Sequence, residues 1–134
     1  MARYMLDTDI SSHIIKKRDA VIAARLAKIP LNDICISVVT KAELLYGVAK
    51  SSNKRVNRLA VNEFLAFVRV LPWDDEAAEH YAEIRAALEV AGVAIGNLDT
   101  MIAAHARSCR LAVVTNNERH FRKVPGLRVD NWLS

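Results

Sequence analysis

Apolar residues fall into short continuous runs separated by longer stretches with three- and four-residue spacing. That alternation predicts strands and helices in turn. Residues 3–6 form a brief apolar run ending at Asp7, Thr8 and Asp9. A first strand should therefore lead into a helix opened near Thr8 or Asp9, either of which can cap it. Ile10, Ile14 and Ile15 give that helix its apolar side. A second short helix is predicted over 20–28, and Pro30 ends the region. Residues 33–37 read as the second strand, followed by helix from about Thr40 with Ala42, Leu44, Leu45 and Val48 available for packing. Over 53–67, Val56, Leu59, Ala60, Phe64 and Phe67 recur at helical spacing and predict one buried face. A short strand is expected at 68–71. Asp74 is placed to cap a long helix, with Ala78, Tyr81, Ala82, Arg85, Leu88 and Ala91 along one side and Gly92 as its stop. After a linker at 92–96, Asn97 is expected to cap a helix carrying Ile102, Ala103 and Ala106. Residues 111–115 form the clearest strand, 127–129 a last edge strand, and Trp132 a terminal anchor.

Strand and helix alternate throughout, which predicts an α/β fold with a small, mostly parallel central sheet and helices on both faces. In such sheets ligands bind beyond the carboxyl ends of the strands, so chemistry is sought just after each one. The 134 residues suffice for one hydrophobic core, and a single domain over 1–134 is expected. Hydrophobic residues at 52% and charged residues at 25% exclude a disordered chain. The opening residues reach acid too early for a signal peptide, and no run approaches the ~18 apolar residues that span a bilayer. A cytoplasmic location follows as the expectation. Cys35 and Cys109 match neither a zinc nor a redox spacing and are expected to be two buried thiols.

Acids stand at the predicted strand ends. Asp7 follows the first strand, Glu43 lies early in the helix after the second, and Asp99 falls in the first turn of the helix after the 92–96 linker. Asn116, Asn117 and Glu118 follow the strand ending at Thr115. Each has a purely structural alternative. Asp7 and Asp9 suit a helix entry, Thr40 to Glu43 matches a capping box, and Asp99 suits a helix dipole. Taken together they are more specific, because acids after successive parallel strands converge. Converging carboxylates raise one another's pKa unless a cation neutralises them. A hard divalent ion wants oxygen ligands, and Mg²⁺ keeps several waters. Its open positions suit a phosphodiester and an attacking water, with the metal acidifying that water. His13, His80, His105 and His120 show no metal-ligand spacing.

These motifs resemble the PIN-domain ribonucleases, and within them VapC-type toxins of bacterial toxin–antitoxin pairs. Tyr4-Met5-Leu6-Asp7-Thr8-Asp9-Ile10 resembles the first family motif. Residues 36–44 resemble the second and place its acid at Glu43. Residues 81–88, then Gly92, Leu98-Asp99 and Ile102-Ala103-Ala104-His105-Ala106, resemble the third and place its acid at Asp99. Val113-Val114-Thr115-Asn116-Asn117, Phe121, Val124-Pro125-Gly126-Leu127 and Trp132 resemble the tail. The resemblance implies a PIN-like α/β/α sandwich and a Mg²⁺-dependent endoribonuclease, with Mn²⁺ as a substitute ion. It implies Asp7, Glu43 and Asp99 as metal ligands with help from Asp9, and a catalytic role for Asn117. It also implies a VapB-like antitoxin as partner, inserting an Arg into the acidic pocket, and a homodimer using residues within 45–65. The chain departs from the pattern where many members carry a fourth acid, which here is Asn117, or an acid nearer the phenylalanine, which here is His120. A second metal site is correspondingly weakened.

The chain carries 19 Lys and Arg against 15 Asp and Glu, a net charge of +4, which favours polyanionic partners. Lys50, Lys54, Arg55 and Arg58 form one candidate phosphate rail, and Arg119, Arg122 and Lys123 another, unless they are simply solvated faces. Arg85 is expected to hold a carboxylate or orient its helix. The substrate class expected from the resemblance is structured RNA, with transfer RNA foremost. Two alternatives stand beside this reading. One is a catalytically weak RNA- or antitoxin-binding PIN-like module. The other is a haloacid-dehalogenase-like phosphatase, in which Asp7 would attack phosphate and Asp9 handle protons, leaving Glu43 and Asp99 without a role.

Overall fold

The computed structural model describes residues 2–17 and 20–132. Five strands alternate with helices: β1 Tyr4–Leu6, α1 Thr8–Lys16, α2 Ala20–Ala27, β2 Ile34–Ser37, α3 Val38–Ala49, α4 Lys54–Phe67, β3 Arg69–Leu71, α5 Asp75–Val90, α6 Asn97–Ser108, β4 Ala112–Val114, α7 Glu118–Phe121 and β5 Arg128–Asp130. The sheet order is β3-β2-β1-β4-β5. Every pairing is parallel, with Leu6 opposite Ile36 on one side and Val114 on the other. The expected mostly parallel sheet is thus wholly parallel among the described residues.

Both faces of the sheet are covered, as its apolar strands require. Successive side chains alternate across a strand. Met5, Cys35 and Val113 enter a core with Ile84 and Leu88 of α5 and Ile102, Ala103 and Ala106 of α6. Leu6, Ile34, Ile36 and Val114 enter the opposite core with Ile10, Ile22, Leu44, Val48, Val61 and Phe64. Trp132 is buried there too, edge-on to Tyr4 with ring centroids 5.9 Å apart, as the expected anchor.

Two helices bury only part of the face their spacing predicts, Phe64 on α4 and Leu88 on α5. On α4 the buried residues are Val61 and Phe64, whereas Val56, Leu59 and Phe67 are exposed. On α5 the core side is Ala77, Ile84 and Leu88, and Ala78, Ala82 and Arg85 face outward. Both helices contain more apolar positions than one face can hold, so periodicity alone leaves the phase open. Helix entries also shift. Asp7 rather than Thr8 or Asp9 caps α1, Ser37 caps α3 three residues before Thr40, and Gly96 rather than Asn97 precedes α6. Gly96 adopts φ 92°, a conformation glycine takes without steric cost. Asp74 caps α5 as expected, accepting from the Ala77 amide. The cysteines divide, with Cys35 buried and Cys109 exposed.

Candidate active site

The chain runs β1-β2-β3 toward one edge of the sheet and then returns to place β4 and β5 on the other side of β1. The crevice between the carboxyl ends of β1 and β4 is therefore the switch point at which such sheets bind ligands. Asp7 leaves β1 there, and Thr115 leaves β4.

Asp7 is only 2% exposed. Its Oδ1 accepts the Ile10 amide at 2.8 Å, and its Oδ2 accepts the Thr115 hydroxyl at 2.5 Å. The functional acid and the helix cap are one residue, so the two readings of Asp7 do not compete. Burial pushes its pKa up to about 7, the two hydrogen bonds oppose that rise, and the charges of Asp9 and Asp99 add to it. Glu43, half-buried in α3, accepts the Thr8 hydroxyl at 2.5 Å through Oε1. The Thr8 and Thr40 hydroxyls lie 3.3 Å apart. No capping box forms between Thr40 and Glu43, because Thr40 lies inside α3. Asp99 sits in the first turn of α6, and burial raises its pKa, as do the charges of Glu43 and Asp9, against a lowering contribution from His120. Charges from acids on three separate elements are thus felt at Asp7 or Asp99. Asp9 is exposed, and its Oδ1 is 3.8 Å from His13 Nε2.

The segment after β4 completes this edge. The Asn117 amide donates to Thr115 Oγ1 at 2.8 Å, and its side-chain nitrogen lies 2.9 Å from His120 Nδ1. Asn116 Oδ1 is buried without a hydrogen-bond partner. Glu118 is turned to Arg122 and Asn131, and the Arg122 bond lowers its pKa.

A PIN domain model matches residues 4–127. The chain belongs to the PIN-domain family. It is 42% identical over 132 residues to the tRNA(fMet)-specific endonuclease VapC of Shigella flexneri, covering 98% of this chain and 99% of that one. It is 40% identical over 133 residues to ribonuclease VapC2 of Haemophilus influenzae, covering 99% and 100%. The crystal structure of DNA-bound VapBC from Salmonella typhimurium contains a chain that superposes with a TM-score of 0.94 at 40% identity, covering 98% of this chain and 99% of that one. Fold and sequence together make the chain a VapC-type PIN-domain ribonuclease.

PIN-domain nucleases work with divalent metal ions. The donor set of this VapC-type site fits one, because it offers hard carboxylate and amide oxygens and little else. Asp7 and Asp99 are both pushed toward their neutral forms by burial and by neighbouring acids, and a cation would relieve that. Among the described residues no three carboxylate, histidine or cysteine side chains are gathered closely enough to hold a metal ion as they stand. The acids are instead held by Ile10, Thr115 and Thr8, and each bonded carboxylate oxygen keeps a free lone pair. The phosphatase alternative gives Glu43 no role, whereas here Glu43 is held by the Thr8 hydroxyl of the helix that Asp7 caps.

Glu43 and Thr8 line a cleft of about 550 Å³ with Lys16 and Lys50. Lys50 thereby shares a cleft with Glu43, its ammonium 5.0 Å from the Tyr46 ring centroid. Lys54 donates to the Ser51 carbonyl, and Arg58 to Asn62, along the exposed side of α4 with Arg55. Arg119 is exposed and Arg122 is paired with Glu118. Arg85 holds the Glu89 carboxylate and the Tyr81 hydroxyl on its own helix. The larger cleft, about 810 Å³, is apolar and runs between α1, α2 and the end of α4. Sequence reasoning gave Lys16 no role, took Thr8 only as a possible helix cap, and took Thr115 only as a strand end within the family-like tail. A hydroxyl's partner 35 or 108 residues away leaves no local trace.

Proposed function

We propose that this VapC-type ribonuclease is a Mg²⁺-dependent endoribonuclease toxin that hydrolyses phosphodiester bonds in transfer RNA. It acts in the cytoplasm as a homodimer until a VapB-like antitoxin blocks it. The observation that carries the reading is that the charges of Asp9, Glu43 and Asp99 are felt at Asp7 or Asp99, at the switch point of a parallel sheet. The transfer-RNA substrate rests on the relative named tRNA(fMet)-specific, and the antitoxin on the similar chain found in a VapBC complex.

In this reading Asp7, Glu43 and Asp99 hold the ion, with Asp9 at the rim. Mg²⁺ bound there supplies positive charge to the scissile phosphate and lowers the pKa of an attacking water. Thr115 and Thr8 fix the Asp7 and Glu43 carboxylates, so little reorganisation is needed when RNA arrives. Asn117 closes the β4 side of the crevice. Lys50 on the cleft wall, Lys54, Arg55 and Arg58 along α4, Arg119 on α7 and Arg122 just after it hold backbone phosphates without reading sequence. An antitoxin arginine entering the acids would substitute a guanidinium for the ion's charge. Its apolar residues have a seat in the larger cleft, whose rim exposes Leu31 and Phe67.

The test is incubation of the purified protein with total bacterial RNA in Mg²⁺, Mn²⁺ or EDTA, with fragment ends mapped and the Asp7→Asn protein run alongside. Metal-dependent transfer-RNA fragments with 5′ phosphates, absent for Asp7→Asn, are expected. Cutting that persists in EDTA or in Asp7→Asn contradicts the reading.

A further inference from the structure

His120 occupies a position the acidic constellation does not explain. It lies on α7, directly after the strand whose end carries Thr115 and Asn117. The Asn117 side-chain nitrogen, 2.9 Å from His120 Nδ1, is a donor only, so Nδ1 accepts and the neutral ring carries its proton on Nε2. A run of hydrogen bonds links the ring to the acids, since Asn117 donates its amide to Thr115, whose hydroxyl donates to Asp7 Oδ2. The neighbouring acid is withdrawn, since Glu118 is occupied by Arg122 and Asn131. The β4 side of the crevice therefore presents amides and an imidazole, while the β1, α3 and α6 sides present carboxylates. An anion entering between them meets repulsion on three sides and a donor on the fourth. A buried acceptor without a hydrogen-bond partner, Asn116 Oδ1, lies on the same segment.

We propose that His120, oriented by Asn117, donates a hydrogen bond from Nε2 to a phosphate oxygen of the RNA bound in the crevice, so that this wall grips substrate rather than a second metal ion. The inference rests on the nuclease reading and adds to it a substrate-contacting residue. Asn117 becomes a positioning residue that fixes the tautomer and the ring plane, and it need not touch RNA itself. Because a neutral imidazole already donates, the contact does not require a charged ring.

The experiment compares the wild-type chain with His120→Ala, His120→Gln and Asn117→Ala. Cleavage of total transfer RNA is followed in Mg²⁺, with the Asp7→Asn chain as the inactive control. In parallel, binding of fluorescently labelled total transfer RNA is measured in EDTA, with each variant placed in the Asp7→Asn background. His120→Ala is expected to weaken RNA binding in EDTA about 10- to 100-fold, the range of one hydrogen bond to a charged group, and to raise KM more than it lowers kcat. His120→Gln, whose amide nitrogen reaches a similar point, should restore most of the binding. Asn117→Ala should show a weaker form of the same KM effect. Mn²⁺ affinity, measured calorimetrically, should be unchanged in His120→Ala. A loss of Mn²⁺ affinity with unchanged RNA binding would make His120 a metal ligand and overturn the inference. Wild-type behaviour of His120→Ala, with Asp7→Asn inactive, overturns it while leaving the nuclease reading intact. Failure of the wild-type chain to cut any transfer RNA is instead the failure of that reading.

Discussion

Asp7 concentrates the site's chemistry in one side chain. It caps α1, accepts Thr115, and has a pKa raised by burial to about 7. Between the unfolded value near 4 and that raised value, the folded chain binds more protons than the unfolded one, so stability falls as pH rises through this window. Above pH 7 the full penalty applies. Thermal unfolding in EDTA should therefore show a pH 8 deficit that Asp7→Asn removes. That substitution keeps an acceptor for the Ile10 amide and should stabilise the chain at pH 8 by roughly 2–4 kcal/mol while abolishing cleavage. A pH-independent difference between the two proteins would show that Asp7 is not held in this way. At Thr115 the prediction separates support from ligation. Thr115→Val removes a buried hydroxyl that fixes Asp7, so kcat should fall about 10- to 100-fold with metal affinity reduced far less than in Asp7→Asn, as checked by single-turnover cleavage and calorimetry. Asp7, directly after β1, and Asp99, in the first turn of α6, could be picked out by position, whereas Glu43 lies inside α3 and was picked out by the motif at 36–44. Thr8 and Thr115 were not legible as supports, because their partners Glu43 and Asp7 come from distant segments.

At the level of elements, the order of strands and helices was readable from spacing, and the details that failed share one cause. Helices α4 and α5 carry surplus apolar residues, and only packing against α1, α3 and α6 selects which stripe is buried. Phe64 sits in the core on α4, whereas Leu59 is 61% exposed. Phe64→Ala should cost about 3–5 kcal/mol in urea unfolding of the chain, and Leu59→Lys should change it by about 0.5 kcal/mol or less. Equal effects would mean that the buried stripe is the one containing Val56 and Leu59. The cap of α3 was missed for a related reason. Thr40 and Glu43 satisfy a local capping pattern, but β2 ends at Ser37, whose hydroxyl accepts the Val39 amide and meets His105 Nδ1 at 2.8 Å. Burial lowers the His105 pKa, so this contact is made by a neutral ring. A strand-to-helix switch without a loop residue offers no Gly or Pro to mark it.

The whole molecule reconciles a basic chain with an acidic crevice. The net charge of +4 draws a polyanion in, and the carboxylates meet only the short stretch that enters the switch point. Lys54, Arg55 and Arg58 line one exposed flank, so Arg55→Gln with Arg58→Gln should weaken transfer-RNA binding and reduce the salt slope by about 1 per cation removed, without altering metal affinity. The parallel sheet was foreseeable from the alternation of elements. The convergence of its acids was foreseeable only given that sheet, because Asp7, Glu43 and Asp99 are separated along the chain by whole strand–helix units. The most direct test is calorimetric Mn²⁺ binding to the wild-type chain, Asp7→Asn, Asp99→Asn and the double variant. Acids sharing one ion should each lose at least about 10-fold in affinity on substitution, with the double variant little worse than the weaker single one. Unchanged affinity in either single variant, or independent additive losses in the double one, would contradict a shared ion at the carboxyl ends of β1 and its neighbours.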